Sequence, residues 1–137
     1  MECPVCKEPL IVLELEEVEI DYCVGCQGIW LDEGELELLL GDTAAAQAFL
    51  ATFAFEANSR EKKRKCPICS KKMEKVLSGT DKNLRVDKCP YNDGIWFDRG
   101  ELETALTQGN IGSDNKVLQL LKDMFGEKKL TGETKPE

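Results

Sequence analysis

At 137 residues the chain has room for one domain or two very small ones, and 42% hydrophobic with 32% charged residues is the composition of a soluble globular protein. It contains no histidine, which removes the commonest general acid and base and weighs against most hydrolytic mechanisms. A net charge of -8 weighs against simple coating of nucleic acid, and the charge is uneven: residues 1–58 hold one base, Lys7, and thirteen acids, whereas residues 59–137 carry a net +4. Opposite charge favours docking of the two halves where their surfaces come close. No run approaches the roughly 18–20 apolar residues of a membrane span, and a cysteine pair beginning at Cys3 leaves no space for a leader, so a cytoplasmic protein without a membrane partner is expected.

The first element is the pair Cys3-Pro4-Val5-Cys6, and a second pair, Cys23-Val24-Gly25-Cys26, follows after sixteen residues. That spacing suits a four-cysteine metal site, because each tight turn aims two thiolates at one ion and offers backbone N–H groups to the sulfurs. Disulfides or merely packed cysteines are the alternatives, disfavoured by the odd count of seven and the expected reducing compartment. A redox role is disfavoured because no helix is expected directly after each pair. Zinc is the expected ion, and iron in the same sulfur cage stays open.

Between these pairs Leu13, Leu15, Val18, Ile20 and Tyr22 alternate with acids, which predicts an antiparallel hairpin. Gly28 to Leu31 predicts a third strand. Asp32-x-x-Glu35 predicts a helix start in which the Asp side chain caps and the Glu reaches back, and Gly41 a stop. Asp42 is then expected to cap a helix running from Ala44 to Arg60 with Phe49, Leu50, Phe53 and Ala57 on one face, and Phe55 off that face suggests self-association through 42–60.

A second series begins at Cys66-Pro67-Ile68-Cys69. Met73 to Leu77 is expected to pair with Leu84 to Lys88, with a loop around Ser78-Gly79-Thr80-Asp81. Cys89, a strand from Gly94 to Phe97, an Asp98-x-x-Glu101 helix start and a stop at Gly109 follow. Asp114 is expected to cap a helix from Lys116 to Phe125 with Val117, Leu120, Leu121 and Met124 on one face, and 127–137 reads as a mobile tail. Laid on the first series at an offset of 66, Gly28, Ile29, Trp30, Asp32, Gly34, Glu35, Leu36 and Glu37 recur as Gly94, Ile95, Trp96, Asp98, Gly100, Glu101, Leu102 and Glu103, so the chain is a tandem duplication.

The repeated unit, a Cys-Pro-x-Cys knuckle followed by Cys-x-x-Cys-x-Gly-x-Trp-Leu-Asp-x-Gly-Glu-Leu, resembles the TFIIB-type transcription factor zinc-finger family. Residues 3–37 carry the whole pattern, and residues 66–103 carry it apart from the last ligand. The resemblance implies a small metal-stabilised α+β fold of two tandem zinc ribbons, each a three-stranded antiparallel sheet followed by short helices. The expected segments are ribbon 1 with its helix at 1–41, a linking amphipathic helix at 42–63, ribbon 2 with its helix at 64–109, and a C-terminal helix at 110–126. Each half is of a size at which a core alone is marginal, and a structural zinc supplies on the order of 10–16 kcal/mol in apparent terms.

The second copy departs from the pattern at its last ligand, where Asn92 stands in place of the cysteine. Asn is a poor zinc ligand, so Asp93 is the expected fourth ligand beside Cys66, Cys69 and Cys89, with water or a vacant position as the alternative.

Three classes of function compete. A protein-protein adaptor suits two rigid metal-stapled lobes, with Trp30 and Trp96 as candidate anchors if they are not buried in their own modules. Nucleic-acid or transcription-associated binding would use residues 60–88, which hold eleven bases against four acids but no aromatic residue to stack on bases. A redox- or metal-responsive switch would centre on the second site. No catalytic residue or small-molecule substrate is expected, and the acid pairs Asp32–Glu35 and Asp98–Glu101 are read as caps.

Overall fold

The computed structural model describes residues 1–41, 43–56, 61–79, 84–109, 116–121 and 123, without the side chains of 116–118. The elements in chain order are β1 (Ile11–Leu15), β2 (Val18–Tyr22), β3 (Ile29–Asp32), α1 (Glu35–Leu40), α2 (Ala44–Leu50), β4 (Ala54–Phe55), β5 (Glu74–Ser78), β6 (Leu84–Lys88), β7 (Gly94–Phe97), α3 (Glu101–Gly109) and α4 (Lys116–Leu121). The expected cap residues Asp42 and Asp114, the loop residues Thr80 and Asp81, the helix residues Ala57, Arg60, Met124 and Phe125, and the tail at 127–137 lie outside the described residues.

Each repeat builds its three antiparallel strands, as alternation predicts, and the two sets join into one sheet of order β1-β2-β3-β7-β6-β5-β4. The joint is antiparallel, with Trp30 opposite Trp96, Ile29 opposite Phe97 and Leu31 opposite Ile95. Trp96 is the repeat of Trp30, so the seam maps onto itself with a pseudo-twofold axis between the indoles. Strand alternation sends Ile20, Ile29, Leu31, Val86 and Phe97 to one face, where they pack under the helices with Leu36, Leu40, Leu102 and Leu106. Trp30 and Trp96 project to the other face and form a second buried cluster with Cys3, Cys23, Cys66, Met73 and Cys89.

Glycine makes that second cluster possible. A Cβ on Gly28 would collide with the Trp96 ring, and one on Gly94 would lie 2.6 Å from Cζ2 of Trp30. Each indole therefore occupies the space left by the other copy's glycine, which is why Gly-Ile-Trp recurs as a unit. Both tryptophans are fully buried. Their burial is shared between the copies rather than lying within each module.

The linker differs from expectation. The helix predicted from Ala44 to Arg60 ends at Leu50, and it is capped by Thr43, whose Oγ1 accepts from the Ala46 N–H at 3.0 Å. The Thr52 hydroxyl donates to the Phe49 carbonyl at 2.6 Å and accepts from the Gly79 N–H at 2.7 Å, tying the helix end to the β5–β6 hairpin. Phe53 then packs edge-on to Phe49 with ring centroids 5.4 Å apart, and the chain continues extended as β4. Local bonds at Thr52 and the strand preference of Phe-Ala-Phe override the helical periodicity. Self-association through one long helix therefore loses its basis, and Phe55 lies exposed on an edge strand instead. Smaller shifts are β5, which begins at Glu74 rather than Met73, and α4, where Leu121 is buried but Leu120 is exposed.

Ion pairs fasten the segment after β4 to the second ribbon. Glu56 accepts two bonds from Arg85, at 2.7 and 3.0 Å. Buried Lys75 meets Asp87 at 2.5 Å and Glu61 at 3.3 Å, while Arg64 bridges Asp87 at 3.2 Å and Asp98 at 2.6 Å. Burial raises the Asp87 carboxyl above the ordinary Asp range, against the pull of Lys75 and Arg64.

The Trp–Gly packing generates a prediction. Gly28→Ala should lower unfolding stability by about 1–3 kcal/mol through overpacking against Trp96. Gly25→Ala, where the nearest atom to the new Cβ is 3.6 Å away, should cost less. Denaturant midpoints of the zinc-saturated proteins check the pair.

Candidate metal centres

Three of the four ligand turns are built alike. The N–H groups of Lys7, Gln27 and Ser70 donate four residues back, to the carbonyls of Cys3, Cys23 and Cys66, at 2.8–3.0 Å. Those same three residues have left-handed φ of 68, 65 and 67°. The resulting loops turn N–H groups onto sulfur as expected: Val5 and Cys6 donate to Cys3 Sγ at 3.3 and 3.2 Å, Cys26 to Cys23 Sγ at 3.5 Å, Ile68 to Cys66 Sγ at 3.4 Å, and Tyr91 to Cys89 Sγ at 3.4 Å.

The fourth turn is tighter. Its closing bond runs from the Asn92 N–H to the Cys89 carbonyl, three residues back, at 3.1 Å, and the left-handed residue is Asn92 at φ 65°. Asn tolerates that conformation better than most residues. Its Oδ1 accepts from Lys88 Nζ at 3.1 Å, and the next residue, Asp93, turns toward the sulfurs. The path from Cα to the donor atom is one atom longer in Asp than in Cys, which extends the reach. The role of Asn92 as a turn residue was not read from sequence, although Asn beside a missing ligand is a signal for it.

The ligand atoms of Cys3, Cys6, Cys23 and Cys26 lie within 4.8 Å of one another, and so do those of Cys66, Cys69, Cys89 and Asp93. Sulfurs from opposite turns stand 3.6 Å apart in Cys3–Cys26 and 3.7 Å in Cys69–Cys89. Those separations exclude disulfides, whose bond is about 2.05 Å, and the cysteines are free. Zinc–sulfur bonds of about 2.3 Å place tetrahedral neighbours ~3.8 Å apart, and a mixed sulfur–oxygen edge comes to ~3.5 Å. Asp93 Oδ2 lies 3.5 Å from both Cys66 Sγ and Cys89 Sγ.

Electrostatics also calls for a cation. Burial pushes Cys66 up to about 12 and Cys26 strongly upward. Cys23 is held below the ordinary thiol value: burial opposes this, but N–H donation and neighbouring thiols outweigh it. Anionic ligands packed this closely repel one another, and a divalent ion relieves that repulsion. Both tetrads fit zinc, and four protein ligands leave each a closed, structural centre.

Behind the ligands, the Asp-x-Gly-Glu segment holds the indoles. Glu35 Oε1 accepts from the Asp32 N–H at 2.8 Å, and Glu101 Oε1 from the Asp98 N–H at 2.9 Å, so the glutamates reach back as predicted. The aspartates do something else. Asp32 Oδ1 accepts from Trp30 Nε1 at 2.8 Å and Asp98 Oδ1 from Trp96 Nε1 at 3.0 Å, while α1 has Gly34 at its N-cap with φ 90° and no side-chain cap. The buried indole N–H needs an acceptor, and that need recruits the residue expected to cap the helix.

Two predictions follow from these centres. Reduced protein should bind two zinc ions per chain, and Asp93→Ala should weaken only the second by at least about tenfold; competition with a chromophoric chelator measures both. Glu101 supplies the other. Burial pushes its carboxyl up to about 7 despite the Asp98 N–H. With the folded value above the ordinary one, the native state binds the proton more tightly, so this group's contribution falls as pH rises from about 4.5 to 7. Glu101→Gln keeps the acceptor without the charge. It should be more stable than the parent near pH 8, with the gain shrinking toward pH 6, in denaturation of zinc-saturated protein.

No helix among the described residues is long and apolar enough to cross a membrane. Comparison with curated proteins and with solved structures returned no match. The family described as "Transcription factor zinc-finger", the TFIIB-type zinc ribbon, matches residues 2–41 and 65–108. These two segments are the two ribbons with their helices, and together they span more than half of the chain. The chain therefore belongs to the TFIIB-type zinc-ribbon family and carries its unit twice.

Proposed function

We propose that the chain is a non-enzymatic adaptor that binds another protein through the rims of its two metal centres. The observation that carries this reading is the exposure of apolar side chains next to ligands. Val5 and Val24 flank the first centre, Ile68 and Tyr91 the second, with Val24 at 64% and Tyr91 at 66% exposed. Apolar groups on loops braced by a metal are preorganised, and their docking costs little ordering entropy. The buried tryptophans do not serve as anchors. The seven cysteines are gathered in the two tetrads, and the Asp98–Glu101 pair is occupied by an indole and a helix start, which supports a binding role over a catalytic one.

The same geometry favours protein over nucleic acid. Within the basic stretch Lys63 pairs with Glu74, Arg64 with Asp87 and Asp98, Lys75 with Asp87 and Glu61, and Arg85 with Glu56 and Glu61, which leaves less field for phosphates. Zinc-loaded chain immobilised at physiological salt should retain a discrete protein from nuclease-treated source-cell extract. A Val24→Asp, Tyr91→Asp variant with unchanged zinc content should retain at least about tenfold less. Equal retention by the variant, or retention of nucleic acid alone before nuclease treatment, would overturn the reading.

A further inference from the structure

We infer that the outer edge of β1 is a docking strand for an extended, basic segment of another protein; this rests on the adaptor reading and names the partner's chemistry. The repeat itself supplies the template. β1 corresponds to β5 residue for residue, and both keep the same register to their neighbours, Ile11 to Tyr22 as Glu74 to Lys88 and Leu15 to Val18 as Ser78 to Leu84. The outer edge of β5 is covered by β4, with Ala54 opposite Leu77, Phe55 opposite Val76, and the Glu56 N–H donating to the Lys75 carbonyl at 2.9 Å. No strand covers β1 among the described residues. Val12 holds the position of Lys75, so its N–H and C=O are the ones that face outward. Its side chain is 61% exposed, and Ile11 beside it is exposed too. A bare edge of this kind pairs readily with an extended peptide.

Charge selects the occupant. On the second ribbon the covering segment places Glu56 on Arg85 of β6. The repeat of Arg85 on β2 is Glu19, directly opposite Glu14, and the hairpin between them closes through Glu16 and Glu17, both left-handed at φ 48 and 70°. Like charges facing each other across a ladder are destabilising, as is non-glycine backbone in that region. A strand laid on β1 as β4 lies on β5 would bring an apolar residue opposite Leu13 and, where Glu56 sits, a side chain over Glu19. Lys or Arg satisfies that position. A second copy of β1 would bring Glu14 and its neighbouring acids against their equivalents, and nucleic acid would meet the -12 of residues 1–58.

The probe is a fluorescein-labelled decapeptide of alternating Val and Lys, read by anisotropy against zinc-loaded full chain at physiological salt and by hydrogen exchange. It should bind at least about tenfold tighter than a Val–Glu peptide and slow exchange at the Val12 amide. Val12→Pro, which removes an outward donor without touching the β1–β2 ladder, and Glu19→Lys should each weaken binding at least about tenfold with zinc content unchanged. Absence of binding, binding without protection at Val12, or indifference to Val12→Pro would overturn the proposal. So would binding abolished by self-association of the chain in sedimentation. If the peptide fails while a protein is still captured through the Val24 and Tyr91 rims, the edge falls and the adaptor reading stands; if no protein is captured, the adaptor reading falls on its own.

Discussion

The reciprocal fit of two indoles into two glycine-lined hollows is the constraint from which the architecture follows. Trp30 and Trp96 face each other across the β3–β7 seam. With Met73 and four of the cysteines they make a single buried cluster. Metal coordination fixes the knuckles, the knuckles wall in the indoles, and the indoles hold the halves in register. Each half supplies a glycine hollow for the other's Trp and an Asp acceptor for its own. The ligand turns and the seam therefore share one buried cluster.

Around this symmetric centre the periphery is unequal. The second ribbon has a covering strand, a buried Lys75–Asp87 pair and an Arg64 bridge that gathers the linker, and the fourth member of its tetrad is a carboxylate reached through a tightened turn. The first ribbon has four cysteines, an edge strand that no strand covers among the described residues, and a run of acids in a half of the chain whose one base is Lys7. Duplication supplied two equal frames; one has been closed on itself with ion pairs, and the other presents its edge and its charge outward.

Much of this is written in the sequence where a residue's role is local. The cysteine spacing carries the ligand turns, the alternation of Leu13 to Tyr22 the hairpin, and Asn92 in place of a cysteine the displaced ligand at Asp93. The readings that needed revision depend on what the fold buries or brings together. Asp32 and Asp98 carry the cap signature, but the buried indole N–H outbids the helix. The periodicity of Ala44 to Arg60 suggests a long helix, but Thr52 bonds to the hairpin at Gly79 and the chain extends along β5. The repeated Gly-Ile-Trp marks the seam, yet a repeat by itself does not say that its two copies face each other.

A seam that maps onto itself asks each ribbon for the same parts: one strand, one glycine hollow and one indole. β3 and β7 are joined through the chain by α2 and β4, and α1 and α2 pack on α3 of the other ribbon. The connection also packs where it passes: Phe49, Leu50 and Phe53 lie on the same core as Ile29, Leu31 and Phe97, so the ribbons are tied once through the chain and once through its side chains.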